Sequence, residues 1–305
     1  MAGMKSLLNK LGVLIVAVWI QVPALAFGTV FTYMGNESSL DERNTYDRRL
    51  LELALEKTVA EYGPYTMQPS GEGLSLSRLI KLAESKHYPN FFFKFSATDE
   101  MLSKFLAIQI PADRGVVGYR VAFVHQDNLN AFNKVTDISS LAKYSIVQGI
   151  GWLDTSIMQY NKLSVFQVSN YISMFAMVER KRVDLFFRGV NEIANEYADF
   201  SLTHNNLRTE PNLLLVYPLP RFFMTSKDNV SNAKRVELGL QRAWKDGSFV
   251  ALWRENHFAS LAKAQLAKRK IIQLENPFIT TLDPNYTQYN FTISELLNEP
   301  AAVQN

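Results

Sequence analysis

Arg188 closes the apolar run Val183-Asp184-Leu185-Phe186-Phe187 and is followed at once by Gly189. A guanidinium at the end of a buried strand presents a planar fork of donors suited to a carboxylate or another oxyanion. The same group serves equally in an internal ion pair, with Glu192 four residues on or with Asp184. A second cluster is Gly149-Ile150-Gly151-Trp152-Leu153-Asp154-Thr155, in which two glycines precede an aromatic ring, an acid and a hydroxyl. Strand, glycine-rich turn and helix in that order aim backbone N–H groups at a ligand. Trp152 then stacks on a solute or packs on its own domain, and Asp154 and Thr155 meet the solute or cap the helix they open. Arg120, on an apolar strand, reaches a solute or pairs with Asp113. Asp41 and Arg43, in the first polar loop, are site residues or solvated caps.

The chemistry on offer is binding. The four histidines, His87, His125, His204 and His257, show no ligand spacing, so no metal site is expected. There is no cysteine, which excludes thiol catalysis, disulfides and a cysteine-borne lipid. Neither Gly-x-Ser-x-Gly nor a P-loop occurs, and no cofactor is implied.

The elements that must hold these residues alternate. A strand over 28–33 leads through a polar loop to a helix over 45–62, where Leu50, Leu51, Ala54, Leu55 and Val59 recur at helical spacing until Gly63-Pro64 ends the run. Further strands are expected at 91–95, 116–124, 144–147, 165–168, 183–187, 213–217 and 222–226. Helices are expected between them, from Ser231 to a stop at Asp246-Gly247, and from Ser248 on through Leu252 and Trp253. The tail after Pro277 is polar and carries no clear pattern.

Lys5 and Lys10, the short apolar run 11–20 and Val22-Pro23-Ala24-Leu25-Ala26 have the form of a signal peptide (1–26) cleaved to leave Phe27 first. About ten apolar residues fall short of the roughly 20 that a membrane-spanning helix needs. Loss of the two lysines takes the net charge from +3 to +1, so no nucleic-acid or membrane partner follows from basicity. The remaining length points to two lobes.

This order of elements resembles the type II periplasmic solute-binding proteins, in particular the polar-amino-acid-binding group (bacterial extracellular solute-binding family three). The resemblance is carried by Gln148-Gly149-Ile150-Gly151-Trp152, by Met177-Val178-Glu179-Arg180-Lys181-Arg182-Val183-Asp184, and by Gly239-Leu240-Gln241-Arg242-Ala243-Trp244-Lys245-Asp246-Gly247-Ser248-Phe249. It implies a two-lobed α/β fold, each lobe a mostly parallel sheet flanked by helices, joined by two crossing strands near 117–124 and 222–226. Lobe 1 then comprises 27–120 plus 222–305, and lobe 2 comprises 121–221. The resemblance further implies a monomeric periplasmic protein that closes on a small solute by hinge motion, for a membrane permease or a membrane sensor, without catalysis.

Two departures bear on the solute. Members of the group commonly hold a ligand carboxylate with an arginine shortly after a threonine, whereas Thr98-Asp99-Glu100-Met101 has methionine there. They hold the ligand amine with an aspartate just past the strand that Arg188-Gly189 ends here. With Arg188, Trp152, Thr155, Arg120, Asp154, Thr98 and Arg43 as candidate contacts, an anionic solute held from the second lobe is expected. The alternatives are a dehydratase-like enzyme on the same fold, with Glu192 as its acid–base group, and a scaffold that no longer binds solute.

Overall fold

The computed structural model describes residues 28–35, 44–71 and 76–297. The expected signal peptide and Arg43 lie outside the described residues. The first helix runs Thr45–Glu56 and resumes as the single turn Val59–Tyr62, where one helix over 45–62 is expected from the spacing. The break is at Thr58, whose buried hydroxyl turns back onto the carbonyls of Leu55 (2.9 Å) and Ala54 (3.2 Å) and satisfies the end of the ladder. Leu50, Leu51, Ala54 and Leu55 form its fully buried face.

In chain order the strands among the described residues are β1 (Thr29–Tyr33), β2 (Tyr65–Pro69), β3 (Phe91–Ser96), β4 (Phe105–Ala107), β5 (Tyr119–His125) and β6 (Ser145–Gly149). They continue with β7 (Ser164–Val168), β8 (Phe186–Gly189), β9 (Leu207–Thr209), β10 (Leu213–Val216), β11 (Arg221–Ser226) and β12 (Lys270–Gln273). The first sheet has the order β2-β1-β3-β11-β4. The second has β12-β10-β5-β8, with β9 also on β5, and β6-β7 joins it through a parallel bridge from Ile146 to Leu185. In each sheet one strand runs against all its neighbours: β11 in the first and β5 in the second. Each is the strand that enters from the other lobe, so the reversed direction records a crossing.

The two lobes are therefore mostly parallel sheets, as expected. Two details differ. The crossings proper are residues 108–118 and 217–220, which deliver the chain into β5 and β11. The tail crosses twice more: β12, inside the segment assigned to lobe 1, pairs in parallel with β10 of the second sheet after a third crossing, and a fourth returns the chain. On the way back Asn161 bonds both backbone groups of Glu275 (2.8 and 3.1 Å), Asn276 donates to the Pro218 carbonyl (2.8 Å), and the Phe278 carbonyl accepts from Asp99 N–H (2.7 Å).

The closest packing is between the helices Thr45–Glu56 and Val230–Lys245. A Cβ on Gly239 would stand 1.9 Å from the Ala54 carbonyl oxygen. Gly239→Ala must push these helices apart and should cost about 1–3 kcal/mol, read as a lowered melting temperature. An unchanged melting temperature would show that the helices separate freely.

Candidate functional site

Arg120 lies on β5 with its side chain 4% exposed and pairs with Asp154 at 2.5 Å. Its Nε–H donates to the Tyr217 hydroxyl (3.1 Å), which in turn donates to Asp154, so strand, helix Leu153–Tyr160 and hinge residue share one proton-ordered triangle. Glu192 stands 3.8 Å from the same guanidinium. Arg188 adjoins this group on β8. It pairs with Glu196 at 2.5 Å and Glu192 at 3.1 Å, and lies 5.0 Å over the Trp152 ring and 5.4 Å over Tyr171. Burial opposes ionisation of the Glu192 carboxyl, but Arg188, Arg120 and Arg221 outweigh it and hold the group below the usual carboxylate range.

The structure thus brings Arg120, Trp152, Asp154, Thr155 and Arg188 into one network, with their capacity largely spent internally. The Arg188 fork belongs to Glu196 and Glu192, and Asp184 caps Ser145 instead. Thr155 donates to the Gly149 carbonyl (2.9 Å), and the Trp152 indole lies so close on Gly149 that a Cβ there would be 2.3 Å from the ring. The turn N–H groups of Ile150 and Trp152 go to Val168 and Gly149 carbonyls, not outward. The expectation of an anion held by Arg188 is therefore not supported.

Thr98 lies on the other lobe and caps the helix Asp99–Lys104 by accepting from Met101 N–H (3.1 Å). Asp99 beside it takes four hydrogen bonds from the backbone and hydroxyls of Thr280 and Thr281, which lower its pKa. The returning segment of the tail covers this helix start.

A second charged group, absent from the expected site, lies in lobe 1. Lys94 on β3 is clasped by Asp47 (2.6 Å) and Asp113 (3.4 Å), all nearly buried. Arg221 stands two register pairs further along, opposite Ser96, and acts electrostatically on Asp47, Lys94 and Glu192. Lys94 had a signal in the sequence, a lysine inside the otherwise aromatic run Phe91-Phe92-Phe93-Lys94-Phe95. Among the described residues no cluster of His, Asp or Glu forms a metal site, and no helix is long and apolar enough to cross a membrane.

Two sheets joined by crossings, with charged groups converging between them, define the architecture of the two-lobed periplasmic binding proteins. No family model matches the sequence, and no curated protein does. Among solved structures, a probable amino-acid ABC transporter extracellular-binding protein of Bacillus subtilis is similar at TM-score 0.55 and 12% identity, covering 75% of this chain and 97% of that one. A His/Glu/Gln/Arg/opine family-binding protein of Silicibacter pomeroyi in complex with lysine gives 0.52 and 9%, covering 75% and 96%. An ancestral amino-acid-binding protein, a precursor of cyclohexadienyl dehydratase, gives 0.52 and 13%, covering 75% and 95%. The chain has their fold, the one that its sequence resembles.

Arg188→Ala would leave the half-buried Glu196 without an ion pair and Glu192 with Arg120 alone at 3.8 Å. It should destabilise the fold by about 3–5 kcal/mol in chemical denaturation, and a loss under about 1 kcal/mol would refute this structural role. His257 supplies a pH test. Its buried Nε2 has no hydrogen-bond partner among the described residues, and burial lowers its pKa from 6.5 to about 4. The stability from the neutral ring is complete above pH 6.5 and is lost as the pH falls toward 4. His257→Phe should flatten the fall in melting temperature across that window, and an equal fall in both proteins would contradict it.

Proposed function

We propose that this chain is a periplasmic solute-binding protein that closes on a small amino-acid-like zwitterion and delivers it to a membrane permease or sensor, with no chemistry of its own. The carrying observation is the meeting of charged groups from both lobes. Asp47, Lys94, Asp113 and Arg221 come from one side, and Arg120, Asp154, Arg188, Glu192 and Glu196 from the other. Among the described residues these are five carboxylates against four cations. An anionic solute adds to this excess of negative charge, whereas a zwitterion leaves it unchanged and a basic amino acid offsets it. The binding of lysine by one structural neighbour agrees with this reading.

The same electrostatics weigh against an enzyme. A general acid needs a proton near neutral pH, and Glu192 is held ionised by three guanidiniums. The non-binding scaffold remains a second reading, favoured by the internal pairing of Arg120 and Arg188.

Thermal shift of the purified chain against the twenty L-amino acids tests the proposal, since a ligand bound only by the folded state raises the melting temperature. Basic and neutral amino acids should stabilise, by several degrees at saturation, and acidic ones should do so least. Stabilisation only by dicarboxylates would reverse the charge argument. No shift with any solute in a wider metabolite library would favour the scaffold.

A further inference from the structure

We propose that Arg221 holds the carboxylate of the solute, from the first lobe and from strand β11. This rests on the solute-binding reading above.

Arg221 opens β11, immediately after Pro218-Leu219-Pro220, and is in register with Ser96. Residues alternate across a strand, so it shares a face with Phe223, which pairs with Lys94. Its backbone is fixed: its carbonyl accepts from Ala112 N–H (2.9 Å), and the preceding Pro220 carbonyl accepts from Ala97 N–H (2.8 Å). A side chain on a strand pinned at both edges is a precise anchor.

What distinguishes Arg221 is that, among the described residues, no carboxylate pairs with it. Every neighbouring cation is committed: Lys94 to Asp47 and Asp113, Arg120 to Asp154, Arg188 to Glu196 and Glu192, Arg114 to Glu295. Arg221 is half-buried and makes no ion pair with any described residue. A guanidinium withdrawn from water gains from a bidentate carboxylate partner, and a solute can supply one.

The opposite wall supplies the complement. Glu192 is the most exposed carboxylate of the network, at 31% of its side chain against 15% for Asp154 and 13% for Glu196. Beside it the buried Oδ1 of Asn191 accepts no hydrogen bond. Arg221 contributes to holding the Glu192 carboxyl below the usual carboxylate range, so the two lie within electrostatic reach of each other. A solute with carboxylate toward Arg221 and ammonium toward Glu192 and Asn191 joins the lobes through its own two charges, and this polarity is the reverse of an anion held from the second lobe.

The test compares wild type, Arg221→Ala and Arg221→Lys by calorimetry. The probes are the L-amino acid giving the largest thermal shift and its α-carboxamide, which keeps the ammonium and loses the carboxylate. Wild type should bind the amide ten- to a hundredfold more weakly than the acid. Arg221→Ala should lose a similar factor for the acid and little more for the amide, and Arg221→Lys should recover part of the loss. Equal wild-type affinity for acid and amide, or full affinity in Arg221→Ala, overturns the assignment. If Arg221→Ala does not fold, the wild-type acid-to-amide ratio and Arg221→Lys still decide. Binding only of solutes without a carboxylate, such as sugars, overturns the assignment while leaving the solute-binding function standing. Absence of any binder refutes both.

Discussion

Ionised groups are withdrawn from water between the two sheets, and each has to be matched by charge and hydrogen bonds. Arg120 is the pivot. It sits on the strand that carries the chain into the second lobe, and its partners come from the helix Leu153–Tyr160 and from the start of the returning crossing. Matching one guanidinium therefore fixes the outgoing strand, the returning strand and the helix bearing the glycine-rich turn relative to one another. Arg188 extends the same requirement to the helix Ile193–Phe200 through Glu196, and Lys94 repeats it in the first lobe.

Much of the fold was legible because it rests on local patterns. The aromatic strand at β3, the β-branched strand at β5 and the helical spacing of Leu50, Leu51, Ala54 and Leu55 each announce a buried face. The third crossing was not, because Lys270-Ile271-Ile272-Gln273 is four residues in a polar tail and only pairing with β10 makes it a strand. Thr58 was missed for a related reason: a threonine ends a helix only when its hydroxyl finds the preceding carbonyls.

Five of the expected site residues lie together, but their partners differ from those expected. Arg120, Trp152, Asp154, Thr155 and Arg188 do gather in one place, since strand ends and a glycine turn placed them on one edge of one sheet. Their roles depended on partners that spacing does not reveal. Tyr217 lies 97 residues from the Arg120 it accepts from, and the Arg188 fork is filled by Glu196, eight residues on and a turn beyond Glu192. Lys94 and Arg221 escaped because their significance is in what stands opposite them.

The strand order has a kinetic meaning as well. The first sheet receives β11, which lies between β3 and β4, only once residue 226 exists, and the second gains its edge strand only with Gln273. Neither lobe is closed by contiguous chain, so both wait for contacts of long sequence separation, which form slowly. A nascent polypeptide of this topology can complete neither sheet until late in its synthesis.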